Sequence, residues 1–238
     1  MAEQEVLYNG SSKVVFKGEG DTITIRFKDY ISAFYGIKGA RIENKATMNC
    51  RISSMVLGYL NDNGITTHFV AQTSDTEQCC RLVKHIPIEV IVRNVIAGSM
   101  ARRLGMEDGI IPENTIFDLC LRDNELGDPL INDHHAVALG LVTYEELQHI
   151  YAVSSKVNAL LTDLYARAGI KLVDFKIEFG RATDGSLVLA DELTPDTCRL
   201  WDVATGERMD KDRFRRDLGR VRETYEEVAQ RLANQLNK

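Results

Sequence analysis

Apolar and polar positions alternate in the first part of the chain in the way that half-buried β-strands require. An apolar-rich run covers residues 13–16, residues 17–21 interrupt it with two glycines, and residues 22–27 then alternate strictly. Two short strands around a glycine-bearing turn are typical of an antiparallel hairpin. Shorter strand-like runs follow at residues 69–71 and 89–92. The pattern therefore predicts a hairpin near the N-terminus and further short strands beyond it.

Apolar residues recur at helical spacing in two longer segments. The first covers residues 44–60, and the Asn-Gly pair at residues 63–64 is a suitable C-terminal stop for it. The second opens at Thr143, where Glu146 three residues later completes the sequence pattern of a capping box. We predict that this second helix runs to about Arg167.

The C-terminal third returns to strands and ends in helical periodicity. Residues 172–179 and 187–189 are strand-like and flank a polar turn at residues 183–185. One amphipathic terminal helix with a solvated charged face is predicted from its apolar stripe. The stripe consists of Phe214, Leu218, Val221, Tyr225, Val228 and Leu232. Because helices mix with hairpins, we predict an α+β fold rather than a doubly wound sheet, with a domain boundary near Lys84.

Composition limits the class of partner. The 238 residues are 44% apolar and 27% charged, as in ordinary globular proteins, and the net charge of -6 argues against nucleic acid or an anionic membrane as the main partner. Residues 1–5 are acidic and lack the apolar core of a secretory signal, and no apolar stretch is long enough to span a bilayer. The five cysteines lack zinc-site spacing. We expect reduced thiols in a cytoplasmic protein.

Three charged residues on one predicted strand form the most informative local pattern. Side chains alternate along a strand, so Asp174, Lys176 and Glu178 share one face. A two-residue turn at 184–185 would place Glu178 opposite Asp191, where two carboxylates repel each other. A magnesium ion would remove this repulsion, because hard cations take carboxylate oxygens and bridge phosphates. A longer turn would shift the pairing, and an exposed edge hairpin would carry the same charges without a metal.

Two further segments are candidates for binding a small anion. Arg93 ends a strand, and the small residues 97–99 open a short helical stretch. The free N–H groups of such a turn, the Ser99 hydroxyl and the Arg93 guanidinium all suit a phosphate. A simple N-capped helix with surface arginines would show the same residues. A later loop carries Arg199 and the sole tryptophan, Trp201, which we expect to pack rather than stack on a ligand.

Other local signals are weaker. Gly10 and Lys13 flank the start of the first strand and are suited to covering phosphates, but the full Walker pattern is absent. His134 and His135 are adjacent, and we expect them to lie in a loop without a shared metal. No Ser-His-Asp or Cys-His arrangement is legible, so covalent catalysis by a side chain has no support.

Taken together, six motifs in order resemble the SAICAR synthetase family in its short bacterial form, across residues 7–236. They are Leu7-Tyr8-x-Gly10-x-x-Lys13, Ser32-Ala33-Phe34, Arg93-Asn94-x-x-Ala97-Gly98-Ser99-x-x-Arg102-Arg103-x-Gly105, Gly127-Asp128-Pro129, Val173-Asp174-Phe175-Lys176-Ile177-Glu178-Phe179-Gly180 and Asp191-Glu192-x-x-Pro195-Asp196-x-x-Arg199-Leu200-Trp201-Asp202. The resemblance implies a smaller β-rich domain at residues 1–84 that covers ATP. It implies a larger α+β domain at residues 85–238, with an ATP-grasp-like or kinase-like cleft between the two.

The resemblance also implies the reaction. L-aspartate would be joined to the carboxylate of CAIR through an acyl phosphate, giving SAICAR, ADP and phosphate in de novo purine biosynthesis. ATP and magnesium would be the cofactors, and a homodimer the assembly. A small-molecule kinase and a non-catalytic nucleotide-binding module are the competing interpretations, because both would use the same cleft.

Individual roles are carried over by motif. The residues expected to contact ATP are Gly10, Lys13, Lys84 and Arg122. Those expected to bind the substrate are Arg93, Ser99, Arg199 and Asp196. Asp174 and Lys176 would lie beside the reacting groups as catalytic residues, and Glu178 and Asp191 would hold magnesium. The backbone of residues 80–87 would meet adenine. The chain departs from the family at Ser11 and at Arg122, where the family carries lysines.

Overall fold

The computed structural model describes residues 4–236 and combines six helices with thirteen strands in that range. The strands are β1 (Val6–Asn9), β2 (Lys13–Lys17), β3 (Thr22–Phe27), β4 (Tyr30–Ala33), β5 (Lys38–Arg41), β6 (Phe69–Gln72), β7 (Glu77–Arg81), β8 (Lys84–Arg93), β9 (Ile116–Leu121), β10 (Leu130–Ile131), β11 (Ile170–Arg181), β12 (Leu187–Ala190) and β13 (Cys198–Asp202). The helices are α1 (Lys45–Asp62), α2 (Ser99–Leu104), α3 (Asp133–Ala138), α4 (Tyr144–Arg167), α5 (Asp212–Arg215) and α6 (Val221–Leu236). Part of the acidic N-terminus discussed above, residues 1–3, lies outside the described residues, as do the last two residues of the expected second domain.

A five-stranded sheet in the order β1-β2-β3-β7-β6 forms the N-terminal part. The predicted hairpin is confirmed, since β2 and β3 pair from Lys13 opposite Phe27 to Lys17 opposite Ile23. Alternate residues of β3 are buried against α1, where they meet Cys50. The alternation seen in the sequence thus marks the face that α1 covers.

A second sheet runs in the order β10-β9-β8-β11-β12, with β13 pairing with one end of β11. The chain passes from the first sheet to the second at residues 82–83, between β7 and β8, close to the boundary expected at Lys84. The main hydrophobic core joins β8, β11, α4 and α6, and α1 contributes Ile52, Val56 and Leu57 to it. The mixed helices and sheets confirm the α+β prediction.

The two long predicted helices are present. α1 ends at a cap formed by Asn63, and Gly64 follows with a φ of 80°. α4 begins with a complete capping box, in which the Thr143 hydroxyl accepts the Glu146 N–H at 3.1 Å and the Glu146 carboxylate accepts the Thr143 N–H at 2.9 Å. Both helices therefore start or stop where the sequence places a capping signal.

We expect Thr143→Ala to lower the free energy of unfolding by about 1 kcal/mol, because it removes the hydroxyl that caps the first turn of α4. Urea denaturation monitored by circular dichroism measures the change. Thr183→Ala is the matched control, since Thr183 is exposed in a turn and caps no helix. Equal stability of the two variants would contradict the role assigned to the capping box.

The prediction of a single terminal helix is wrong. The segment forms the short α5 and the longer α6, with a break between them. Asp217, Gly219 and Arg220 adopt left-handed φ values of 55°, 68° and 55°, which an α-helix does not accommodate. Leu218 lies in this break and is 46% exposed, although its spacing fits the apolar stripe.

The expectation that His134 and His135 lie in a loop is also wrong, because both belong to α3. Asn132 caps this helix by accepting the His135 N–H at 2.9 Å, and the His135 ring accepts the Asn132 N–H. All five cysteines are free thiols. Among residues 4–236, no helix has both the length and the apolar character needed to cross a membrane.

Candidate active site

One cavity of about 520 Å³ gathers the predicted site residues, a size that suits a small-molecule site. It is lined by the start of β2, by one face of β8 and β11, by the turn before α2 and by the segments after β12 and before α6. Every residue given an individual role above lines this central cavity except Lys84, and residues 80–87, expected to meet adenine, do not line it either. Lys84 is exposed at the start of β8 and pairs with Arg181 of β11, so the structure does not bring it to the cavity.

The charged face of β11 is confirmed. Asp174, Lys176 and Glu178 all line the central cavity, whereas Phe175 and Ile177 between them lie in the main core. The alternation of a β-strand therefore delivers three charges to one wall while the other face holds the strand in place. β8 on one side pairs Arg93 opposite Asp174 and Glu89 opposite Glu178, which extends the charged wall.

The predicted register of the following hairpin is wrong by one residue. Glu178 pairs with Ala190 rather than with Asp191. The turn is longer than two residues, since the Ala182 N–H donates to the Ser186 carbonyl at 2.9 Å around a left-handed Gly185. The argument from two directly opposed carboxylates therefore fails, and the support for a metal must come from other observations.

Lys176 nevertheless brings the two carboxylates together. Its Nζ lies 3.2 Å from Glu178 Oε1, 3.8 Å from Asp191 Oδ2 and 2.7 Å from Glu89 Oε1. Burial alone would lower the pKa of Lys176, but the carboxylates of Glu178 and Glu89 outweigh it and raise the pKa above its usual range. Lys176 is therefore a permanent cation at the centre of the wall.

Glu178 is buried, and burial alone would raise the pKa of its carboxyl group. The cationic groups of Lys176 and Arg122, together with a hydrogen bond from His85, hold that pKa well below its usual value instead. Arg122 Nε lies 3.0 Å from Glu178 Oε1, and His85 Nδ1 lies 3.4 Å from Oε2. Glu178 is thus an anion that several positive groups share.

Lys13 connects the first sheet to this wall. Its ammonium forms ion pairs with both Asp191 and Glu192, which directly follow β12. Gly10 lies beside it, and a Cβ at Gly10 would collide with the ring of Tyr8. The glycine therefore allows the chain to pass close to Tyr8 before Lys13 enters the cavity.

Arginines and aspartates alternate at the opposite end of the central cavity. Arg93 is buried, with Nε 2.8 Å from Asp118 and Nη1 2.9 Å from Asp174. Arg199 lies 2.8 Å from the same Asp174 carboxylate and 3.2 Å from Asp212. Asp174 therefore orients two arginines at once, and both line the cavity.

The turn before α2 departs from the expectation of free N–H groups. The Gly98 N–H donates to Asp108 at 2.9 Å, so this donor is already used inside the protein. Gly98 has a φ of 60°, and a Cβ there would collide with the Arg199 guanidinium. Its glycine is required for close approach to Arg199. Ser99 remains in the cavity wall next to it.

The carboxylate of Asp196 is bound by side chains that are far away from it in sequence. Lys45 Nζ lies 2.5 Å from its carboxylate, and Asn49 and Tyr225 donate to it at 2.8 Å each. Burial would raise the pKa of Asp196, but Lys45 and Lys211 lower it. The segment that leads into β13 is thereby fixed to both α1 and α6. The prediction that Arg199 lies in a loop is wrong, because Arg199 is the second residue of β13 and pairs with Asp174 of β11.

Comparison with known proteins decides the family. The family model of SAICAR synthetase matches residues 6–232 of the chain. The chain belongs to the SAICAR synthetase family. The phosphoribosylaminoimidazole-succinocarboxamide synthase of Fusobacterium nucleatum subsp. nucleatum is 51% identical over 233 residues, which are 98% of this chain and 98% of that relative. The synthase of Clostridium novyi is 49% identical over 98% of this chain and 99% of its own length.

Solved structures of SAICAR synthetases share the fold. The synthase from Ehrlichia chaffeensis superposes with a TM-score of 0.94 at 41% identity, over 96% of this chain and 98% of that one. A SAICAR synthetase in complex with ADP has the same TM-score at 40% identity, over 97% of this chain and 98% of that one. The predicted family and its mixed α and β fold are therefore confirmed.

Several cavity residues had no predicted role. Besides Glu89, examples are Glu192, Lys211, Asp212 and Arg215. Glu192 was visible within the Asp191-Glu192 motif of the SAICAR synthetase resemblance. The other three precede or belong to α5, in the region where a solvated helix was predicted. Nothing in their local sequence indicated that the chain breaks before α6 and directs these three side chains toward the cavity.

Proposed function

We propose that the chain joins L-aspartate to the carboxylate of CAIR at the expense of ATP, giving SAICAR, ADP and phosphate. It is an ATP-dependent carbon–nitrogen ligase of purine biosynthesis. The observation that carries the proposal is one cavity in which the charged wall of β11 meets Lys13 and the Arg93–Asp174–Arg199 cluster. The match to SAICAR synthetases over nearly the whole chain supports the same reaction.

ATP phosphates would bind beside the start of β2. Gly10 and Lys13 stand on one side of this region and Arg122 on the other, all lining the cavity. Arg122 retains a positive charge where the family carries lysine, and it lies against both Glu178 and the ring of Tyr8. Lys84 was expected to contact ATP as well, but it is exposed and does not line the cavity. A nucleotide is supported by the ADP complex of a related synthetase.

Glu178 and Asp191 fit a magnesium site by their chemistry. Both are buried carboxylates whose charges are now balanced by the ammonium groups of Lys176 and Lys13. No group of three or more metal-binding side chains is assembled among residues 4–236, so phosphate oxygens and water would complete the coordination. Bound magnesium would neutralise charge on the phosphates during transfer. Lys13 and Lys176 would orient those phosphates.

The phosphate of CAIR would bind at the opposite end of the cavity. Arg93 and Arg199 are preorganised there by Asp174, and Ser99 adds a hydroxyl from the start of α2. Asp196 lines the same cavity, although its carboxylate is engaged by an ion pair with Lys45 and by hydrogen bonds from Asn49 and Tyr225. It would shape the substrate subsite through the loop that it anchors.

The chemical steps would take place in the part of the cavity between the ATP phosphates and the phosphate of CAIR. A carboxylate is a poor electrophile, and transfer of the γ-phosphoryl group makes it an acyl phosphate with a good leaving group. The amine of L-aspartate attacks the carbonyl carbon, the C–N bond forms, and phosphate leaves. Lys176 would stabilise negative charge on the transferring group, and Asp174 would hold the arginines that fix CAIR. No covalent bond to the protein is required.

The remaining features are extensions of this proposal. The sheet switch at residues 82–83 suits a domain division into residues 1–84 and 85–238, with ATP between them in a kinase-like or ATP-grasp-like layout. The backbone of residues 80–87 would then meet adenine. The enzyme would act as a homodimer in the cytoplasm, and sedimentation velocity tests the dimer.

Omission of single substrates tests the function. With magnesium, ATP, L-aspartate and CAIR all present, we expect ADP release together with a product whose mass is that of the amide. Leaving out any one substrate should abolish amide formation. Sustained ADP release that needs no L-aspartate would instead indicate a kinase, and absence of any release would indicate a binding module.

A further inference from the structure

Lys211 differs from most other cations of the central cavity because it has no carboxylate partner. Lys13, Lys176 and Arg199 are each paired with at least one buried carboxylate. The Lys211 ammonium makes neither a hydrogen bond nor an ion pair within 4.0 Å to any residue between 4 and 236. Arg102 is likewise unpaired in that range, but its side chain is exposed to solvent on α2 beside Ser99.

Little negative charge surrounds the Lys211 ammonium. Burial lowers its pKa, and the positive charges of Arg215 and Lys45 lower it further. Asp196 opposes this effect, but its carboxylate is already engaged by Lys45, Asn49 and Tyr225. Arg215 is paired with Asp212 at 2.6 Å. A half-buried ammonium in this position is compensated when a ligand brings an anion.

Lys211 lines the same cavity as the charged wall and the arginine cluster. Its backbone N–H donates to the Pro195 carbonyl at 2.9 Å, which fixes it to the segment that precedes β13 and its Arg199. The carboxylate of Glu192, on the side of the charged wall, acts to raise the pKa of Lys211. The amine substrate must enter the cavity that holds both the phosphate end and the wall where the acyl phosphate forms, and Lys211 lines that cavity.

We propose that Lys211 binds a carboxylate of the amine substrate, L-aspartate. The inference rests on the proposed function, in which the phosphates of ATP and CAIR already have cations assigned to them. The two carboxylates of L-aspartate have no protein cation assigned to them. Lys211 is the half-buried cavity cation still without an anion among the described residues.

Initial-rate kinetics of the full chain test this role. We expect Lys211→Met to raise the KM for L-aspartate by about 10- to 100-fold, because a charge-assisted hydrogen bond is lost. The inhibition constant of succinate, which has both carboxylates but no amine, should rise by a similar factor. The KM values for ATP and CAIR should change by less than about twofold. Lys211→Arg keeps the charge and should recover most of the affinity for L-aspartate.

Lys156→Met is the matched control, because Lys156 is exposed on α4 and lies away from the cavity. An unchanged KM for L-aspartate in Lys211→Met, or an equal rise in the KM for CAIR, would overturn the assignment. Thermal melting checks that the variant folds, and Lys211→Gln replaces it if it does not. Calorimetric binding of succinate to wild type and variant tests Lys211 even if the wild type lacks amide synthesis, an outcome that would overturn the proposed function.

Discussion

Asp191→Asn should lower kcat by at least about 10³-fold while leaving the fold intact, because it removes one of the two carboxylates placed to hold magnesium. Asp191 is also an ion-pair partner of Lys13 and lies 3.8 Å from Lys176, so its charge orients both lysines. The backbone at Asp191 has a φ of 68°, in the left-handed region. Asparagine tolerates that region nearly as well as aspartate, so the substitution changes charge with little backbone strain.

Amide formation under saturating substrates measures the effect, and binding of ADP with and without magnesium gives an independent reading. We expect magnesium to strengthen ADP binding in the wild type and to have little effect in Asp191→Asn. Asp184→Asn is the control, since Asp184 is an exposed turn residue of the same hairpin that bonds only locally to Ser186. Near-normal turnover in Asp191→Asn would disprove the metal assignment.

Local sequence patterns predicted the parts of the site that one strand or one turn determines. Alternation placed Asp174, Lys176 and Glu178 on the cavity wall because a β-strand has a fixed period of two. The pairing of Glu178 was predicted wrongly because one additional turn residue moves the register by one position. A two-residue turn of type I′ would need a positive φ at both Asp184 and Gly185, whereas only Gly185 has one here, and the sequence permits either conformation.

Local sequence patterns could not predict contacts between segments that are distant in the sequence. Asp196 is fixed by Lys45 and Tyr225, and nothing in the local sequence of the loop indicates that α1 and α6 meet beneath it. The motif resemblance assigned Asp196 to the substrate site without revealing these donors. Lys211 was overlooked because its neighbours fit an amphipathic stripe, and only the break at residues 217–220 turns this region inward.

Glu178→Gln should abolish most activity and also destabilise the fold by about 3 kcal/mol, because removing one partner leaves buried charges uncompensated. Glu178 is 1% exposed and lies against Lys176, Arg122 and His85. Glutamine keeps the shape but cannot balance these groups. Guanidinium unfolding at neutral pH measures the loss, with Glu113→Gln as control because Glu113 is exposed and away from the cavity.

The pH dependence of stability separates this charge effect from a packing defect. The folded-state pKa of Glu178 lies well below its usual 4.5, so the folded protein releases this proton more readily than the unfolded chain does. The resulting stabilisation is fully present above about pH 5 and is lost as the pH falls below 4.5. Wild-type protein should therefore lose stability on acidification, and Glu178→Gln should lose less over the same range. Parallel stability profiles for the two proteins between pH 7 and pH 3 would show that the Glu178 charge does not stabilise the fold, because in that case its protonation would have no differential effect.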